Sequence, residues 1–204
     1  MTTASITRPV EPALVAFAAG VASVVFLFSW TVLHRGFYER EQIVDTRVYE
    51  RYGSAMSKGE IPYRDFALEY PPGALPVFVL PAVGGADFDT FTRRFEGLMA
   101  ACGLALVAFL AAALAGLGAN VRRLAAALVF AALAPLALGS VVLSRFDLWP
   151  AALTAAALAA FLSGRDRLGH AALGAAVAVK LYPAVLVPVA LAYVWRRNGQ
   201  REAL

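Results

Sequence analysis

The chain has 204 residues, a hydrophobic content of 60% and a formal net charge of +4 at pH 7. With a mean hydropathy of +0.67, it lies outside the range of soluble globular domains, in which about half of the residues are apolar. Its arginines stand at the ends of apolar runs and Lys180 stands alone inside one. This is not the stripe of a nucleic-acid-binding protein, so no nucleic-acid partner is expected, and the charges are interpreted as setting topology and contacting lipid headgroups. The sequence therefore predicts an all-α, polytopic bundle of transmembrane helices, with residues 1–204 forming a single membrane domain.

The first apolar run, at about 12–33, follows Arg8 and is long enough to cross a bilayer, which takes about 20 residues. A secretory signal would have a shorter apolar core and a small-x-small cleavage site, and this run ends instead in Trp30 to Arg35. It is expected to remain attached as a membrane span.

A polar loop is predicted at about 34–92, because its charges cannot lie in hydrocarbon. Within the loop, Asp45, Tyr49 and Tyr52 share a helical face with Val48 and Met56, which predicts an amphipathic helix at the membrane interface. The apolar stretch 73–83 is bracketed by prolines and glycines and is too short to cross, so an interfacial or re-entrant helix is expected there.

Five further spans are predicted after this loop. They lie at about 93–117, 123–143, 148–163, 168–181 and 183–196. The last two are interpreted as a hairpin broken at Lys180 to Pro183, because proline disfavours helix at the residue before it.

The excess of arginine in short loops predicts a multi-pass protein of the plasma membrane with a cytoplasmic N-terminus. The Arg122-Arg123 turn and the turn 165–167 then face the cytoplasm, and the loop 34–92 and the turn 144–147 share the outer face.

Lys180 is the most distinctive ionisable residue, because it stands alone in an apolar run. Such a lysine is a functional candidate facing a polar cavity, and the alternative is a lysine at a helix break that reaches headgroups. Asp147 lies at a span boundary, either in a site or in an interfacial ion pair with Arg145. For the charges of the loop 34–92, the alternative is that they are solvated and pair with each other.

No metal site is predicted, because His34 and His170 have no partner at metal-ligand spacing. The single cysteine, Cys102, lies in an apolar run and is interpreted as a packed thiol. No phosphate-binding glycine loop, zinc-protease helix or nucleophile elbow is present in the sequence.

The chain resembles glycosyltransferase family 87, whose members have the GT-C fold and use polyprenyl-phosphate sugars. The resemblance covers most of the chain and rests on the first span, Asp45, Tyr49, Gly59, the Pro62 to Phe66 segment, the Glu69 to Pro72 exit, the Ser144 to Asp147 turn and the Lys180 to Pro183 segment. It implies an N-terminal portion of the family's fold, since members usually run to about twice this length.

The resemblance also implies roles for residues. An inverting transfer would use Asp45 as general base, and Lys180, Arg145 and Arg47 would face the phosphate of the lipid-linked donor. The remaining residues expected to bind substrate are Tyr49, Tyr63, Asp65, Glu69, Tyr70, Asp147 and Tyr182.

These implications define the expected partners. They are a polyprenyl-phosphate sugar, with mannose as the expected hexose, a lipid or glycan acceptor, and membrane lipids. No cofactor is expected, and a divalent metal requirement stays open. A non-enzymatic transporter or lipid-binding subunit, or an inactive module that packs with other subunits, are the competing hypotheses. The transferase hypothesis predicts that the carboxylate of Asp45 and the amine of Lys180 converge on one pocket at the outer face.

Overall fold

The computed structural model describes residues 10–40 and 45–199, and within them the chain is all α-helical, with no strand. The helices are α1 (Pro12–Val32), α2 (Phe37–Arg40), α3 (Thr46–Ser57), α4 (Leu75–Ala82), α5 (Phe88–Gly116), α6 (Val121–Leu138), α7 (Val141–Ser144), α8 (Leu148–Leu162), α9 (Asp166–Val179) and α10 (Val187–Asn198). Two short 3-10 turns, Pro72–Ala74 and Tyr182–Leu186, precede α4 and α10. The expected all-α architecture is confirmed.

Three of these helices, α1, α5 and α6, are long and apolar enough to cross a membrane. α5 has 29 residues and is about 43 Å long at 1.5 Å per residue, more than the roughly 30 Å of the hydrocarbon core. Its charged first turns therefore extend beyond the hydrocarbon. The side chain of Asp87 begins this helix by accepting a hydrogen bond of 2.8 Å from the Thr90 amide.

The sixth helix ends earlier than the span predicted at 123–143. α6 stops at Leu138, and Gly139 adopts a left-handed φ of 68°, a conformation that glycine reaches without steric cost. The short α7 then leads into the turn 144–147. Pro135 lies inside α6, where neighbouring helices can satisfy the carbonyl that it leaves without a donor.

The predicted break in the last apolar run is present. α9 ends at Val179, four residues before Pro183, and Lys180 has extended backbone angles of φ −155° and ψ 142°. Proline removes an amide donor and its ring clashes with the carbonyl four residues earlier, so the helix cannot continue past Val179. α10 then returns to the start of α9, where the side chains of Arg197 and Asn198 both contact Asp166.

Five aromatic rings join the polar loop to the membrane helices. Tyr49 of α3, Phe78 of α4, Phe95 of α5 and Phe146 of the turn 144–147 are buried, and Tyr70 closes the group. We call these five side chains the aromatic cluster. Ring centroids around Tyr49 lie 4.9–5.9 Å apart, a spacing at which aromatic pairs attract one another.

The aromatic cluster fixes α3 and α4 on the bundle. α3 packs against α4, and α4 packs against α5. Gly53 makes the first contact possible, since a Cβ at this position would overlap the Phe78 carbonyl oxygen. The amphipathic helix predicted around Asp45 to Met56 is therefore a packed element, and the stretch 73–83 forms the short helix α4 after a 3-10 turn.

The two ends of the bundle carry different residues. The turn 144–147 and Lys180 lie at one end, where His34 after α1 also contacts Glu96 near the start of α5. The C-terminal ends of α5 and α8 meet at the other end, where Gly116 approaches Leu162. The helix ends and connecting segments at that second end carry a series of arginines, which are Arg122, Arg123, Arg165, Arg167, Arg196 and Arg197.

Candidate functional site

The turn 144–147 places three consecutive side chains in different surroundings. Arg145 is extended, with φ −116° and ψ 143°, so its neighbour Phe146 points the opposite way. Phe146 is buried in the aromatic cluster, whereas Arg145 and Asp147 reach solvent. The buried ring therefore anchors a turn that presents one positive and one negative side chain.

Arg145 pairs with Asp45, the residue predicted to act as general base. Its Nε lies 3.0 Å from Oδ2 of Asp45, which directly precedes α3, and the two side chains are 45% and 34% exposed. This distance is that of a charge-assisted hydrogen bond. The carboxylate is thus fixed in place while part of its surface stays accessible.

Asp147 pairs with Lys180, another of the predicted site residues. Its Oδ1 accepts a hydrogen bond from the amine of Lys180, which is one-third exposed, and that amine also lies 5.1 Å from the centroid of the Phe146 ring. The helix break at Pro183 turns Lys180 out of the apolar run and toward the turn. Asp45 and Lys180 are therefore brought to one place, because their partners stand two residues apart in the same turn.

An apolar groove runs into this place from the membrane helices. The groove has a volume of about 500 Å³ and is lined by residues of α1, α5, α6 and α8, among them Leu106, Leu110 and Pro135. Its polar end is formed by Arg145, Asp147 and Tyr182. We call it the apolar groove, and it can take a hydrocarbon chain whose polar head meets the paired charges.

A second groove opens on the other side of the Lys180–Asp147 pair. It has a volume of about 620 Å³ and is lined by Tyr63, Leu68, Glu69, Tyr70, Pro71, Lys180, Leu181 and Tyr182. We call it the tyrosine groove. Tyr182 borders both grooves, so the paired charges separate an apolar groove from a groove rich in aromatic and polar groups.

Tyr49 lies inside the protein and forms no wall of either groove. Only 2% of its surface is exposed, and its ring stacks on Phe78. Burial and a hydrogen bond with Tyr70 raise the pKa of the Tyr49 hydroxyl above its ordinary value. Its contribution is to hold α3, and thereby Asp45, against the bundle.

Two other predicted residues lie apart from the paired charges. The Arg47 guanidinium sits 4.3 Å from the centroid of the Phe88 ring, at the start of α5. Asp65 accepts hydrogen bonds of 2.8 Å from the Arg64 side chain and from the Ile61 amide, which lower its pKa. Arg47 thus supports the packing of α3 on α5, and Asp65 supports its own loop.

Sequence reasoning missed two residues that position the site. Phe146 enters the sequence analysis only within the Ser144 to Asp147 turn, although an aromatic residue between two charges is a signal of burial. Gly73 lies where the 3-10 turn meets α9, and a Cβ there would stand 2.5 Å from the carbonyl carbon of Ala178. The adjacent prolines Pro71 and Pro72 indicate a rigid segment but do not indicate which helix it contacts.

The interfacial ion pair considered between Arg145 and Asp147 is not the arrangement found. Each of these side chains pairs with a residue distant in sequence, Arg145 with Asp45 and Asp147 with Lys180. Over the described ranges 10–40 and 45–199, no group of three or more histidine, cysteine or acidic side chains is placed to hold a metal ion.

The fold and the site define a class: a polytopic α-helical membrane protein with paired charges at the polar end of an apolar groove. The family model of glycosyltransferase family 87 matches residues 68–203, which is about two-thirds of the chain. The chain therefore belongs to glycosyltransferase family 87 and is a membrane glycosyltransferase. The matched range includes Tyr70, Arg145 and Lys180, while Asp45 lies before its start.

No curated protein and no solved structure matches the chain.

Proposed function

We propose that this chain transfers a hexose, with mannose as the expected sugar, from a polyprenyl-phosphate sugar to a hydroxyl group of a lipid or glycan acceptor. The observation that carries the proposal is the apolar groove ending at Arg145 and Asp147, which are themselves paired with Asp45 and Lys180. A polyprenyl chain would fit against the apolar walls, and its phosphate would then lie at the polar end of that groove, beside Arg145.

The charges of the site support a phosphate-linked donor. Asp45, Arg145, Asp147 and Lys180 together carry no net charge, so each cation must be shared between its carboxylate partner and an incoming phosphate. Arg145 is suited to this sharing, because a guanidinium offers five N–H donors in a fixed fork. Lys180 adds a point charge where negative charge accumulates on the leaving phosphate.

In the proposed reaction, Asp45 acts as general base and the anomeric configuration inverts. The acceptor oxygen attacks the anomeric carbon and its proton passes to the Asp45 carboxylate. The bond between the anomeric carbon and the phosphate oxygen breaks, and its electron pair stays on that oxygen. The polyprenyl phosphate leaves beside Lys180 and Arg145, which stabilise its added negative charge.

The separation of charges between the two ends of the bundle supports an extracytoplasmic site. The end opposite the paired charges collects the turns with Arg122, Arg123, Arg165 and Arg167, and short cytoplasmic loops carry an excess of lysine and arginine. The N-terminus is then cytoplasmic, because α1 ends at the site end. Labelling single cysteines placed in the turns, in a Cys102→Ser chain, tests this orientation from outside the cell.

Transfer by the purified chain tests the activity itself. We expect the full chain in lipid nanodiscs to transfer radiolabelled mannose from polyprenyl-phosphate mannose and not from a soluble nucleotide sugar. Transfer from the nucleotide sugar would contradict the proposed donor. Binding of the polyprenyl phosphate without any transfer would contradict the enzymatic proposal and favour a lipid-binding subunit.

A further inference from the structure

The tyrosine groove has properties that the lipid-linked donor does not need. It lies across the Lys180–Asp147 pair from the apolar groove, and its walls come from the segment 63–71 and the break after α9. Leu181 and Tyr182 are 70% and 50% exposed along its rim. The groove therefore meets the paired charges from the side that the hydrocarbon chain does not occupy.

Tyr63 is held in this groove at a conformational cost. Its φ of 66° makes it the one non-glycine residue with a positive φ among the described residues, and a bulky side chain rarely adopts this region. The conformation is stabilised because the Tyr63 hydroxyl donates to the Tyr70 carbonyl oxygen at 2.5 Å and the Tyr63 amide donates to Phe66 at 3.1 Å. Strain of this kind concentrates at ligand-binding sites.

The charges of the groove select the kind of ligand. Lys180 is paired with Asp147 and faces the phosphate of the proposed donor, so Glu69 is the charged wall group that remains to select a ligand in the rest of the groove. Burial and the adjacent negative charge of Glu69 hold the pKa of Tyr52 above its usual value. An anionic ligand would be repelled by Glu69, and an acyl chain would remove the solvation of Glu69 without replacing it.

A neutral ligand with many hydroxyl groups satisfies both constraints. A sugar ring has one or both faces covered by C–H groups, which pack on a tyrosine ring, and hydroxyl groups around its edge, which donate to a carboxylate. Tyr63 and Tyr182 supply exposed rings and Glu69 supplies the carboxylate. Sites for small polar ligands commonly combine aromatic walls with a few placed polar groups in this way.

We infer that the tyrosine groove binds a sugar ring of the acceptor, with Tyr63 and Tyr182 against its faces and Glu69 accepting hydrogen bonds from its hydroxyl groups. The acceptor role rests on the proposed transfer, whereas binding of a carbohydrate in the groove does not. The acceptor is then a glycan or glycolipid, and its reacting hydroxyl enters the site from the side opposite the polyprenyl chain.

Binding is tested first, without turnover. Saturation-transfer NMR of the methyl α-glycosides of mannose, glucose and galactose is recorded with the full chain in nanodiscs. We expect signals from at least one of them, and we expect Glu69→Gln and Tyr63→Asn to reduce them severalfold. Asparagine is chosen because it tolerates positive φ, so the ring is removed while the backbone conformation is kept.

Tyr193→Phe is the matched control, since Tyr193 is a partly exposed tyrosine on α10, near Arg197 at the opposite end of the bundle. Signals that are absent for all three glycosides, or that persist in both groove variants, would overturn the inference.

Kinetics then test the acceptor role. With octyl α-mannoside as acceptor, Tyr63→Asn should raise the acceptor KM about tenfold or more, corresponding to at least 1.4 kcal/mol, and leave the KM for polyprenyl-phosphate mannose unchanged. Tyr63→Phe, which retains the ring but loses the hydrogen bond to the Tyr70 carbonyl oxygen, should recover part of the loss.

A chain that transfers sugar but shows no change of acceptor KM in Tyr63→Asn would refute the groove and leave the proposed function intact. A chain that binds methyl glycosides through Tyr63 but transfers nothing would refute the function and leave the groove.

Discussion

Replacing Gly73 with alanine should disturb the site through the backbone of α9. The added Cβ would stand 2.5 Å from the carbonyl carbon and oxygen of Ala178 and 2.7 Å from the amide nitrogen of Val179. Ordinary contacts of a Cβ begin near 3.4 Å, so the 3-10 turn and the end of α9 must separate by about 1 Å. Lys180 follows directly and moves with that end of the helix.

The expected effect is larger on the rate than on stability. Overpacking of this kind costs about 1–3 kcal/mol of folding free energy, whereas a displacement of about 1 Å at a reacting centre can reduce the rate about 100-fold. We expect Gly73→Ala to reduce kcat by about 10- to 100-fold with a modest fall in Tm. Initial rates of transfer from polyprenyl-phosphate mannose and thermal unfolding in nanodiscs measure the two quantities.

Gly174→Ala is the control, because Gly174 lies on the same helix with open space around its Cβ position. Alanine there should keep the wild-type rate and stabilise the helix by up to about 1 kcal/mol. If Gly73→Ala retains a rate within twofold of the wild type, the close approach does not position Lys180. A rate that falls only as far as the folded fraction does would likewise refute the reasoning.

Three further predictions concern separate parts of the account. Phe146→Ala should destabilise the chain by about 3–5 kcal/mol, because Phe146 is buried in the aromatic cluster, and an unchanged Tm would contradict this. Lys180→Gln should raise the KM for the polyprenyl-phosphate donor about tenfold or more, while Lys58→Gln, in the exposed loop, leaves it unchanged; equal effects would remove Lys180 from the donor site.

Asp87→Ala should lower Tm at neutral pH. The hydrogen bonds from Thr90 lower the pKa of Asp87, so this stabilisation is present above about pH 4 and disappears as the carboxylate is protonated at lower pH. A Tm difference that stays constant down to low pH would show that the charge is not involved.

Features encoded locally could be predicted from the sequence. The break near Lys180 follows from Pro183 alone, and α3 follows from the spacing of Tyr49, Tyr52 and Met56. The early end of α6 depends on Gly139, whose left-handed conformation is one of several that glycine can adopt. The apolar run alone is therefore equally compatible with a single span to residue 143.

Features that depend on distant partners could not be predicted. Asp45 pairs with a residue 100 positions further along the chain, and only the packing of α3 through the aromatic cluster brings the two together. The requirement for glycine at position 73 becomes apparent only from its contact with the end of α9. The positive φ of Tyr63 likewise results from hydrogen bonds to Tyr70 and Phe66, which no local pattern indicates.

The transfer rate of Asp45→Asn tests the central claim most directly. Asparagine keeps the size of the side chain and can still accept from Arg145, but it is far too weak a base to take the acceptor proton. Asp65→Asn is the matched control, since Asp65 bonds within its own loop. The account predicts a loss of about 100- to 10,000-fold in kcat for Asp45→Asn, with donor binding retained and the Asp65→Asn rate near wild type. Turnover by Asp45→Asn within a few-fold of the wild type would contradict it.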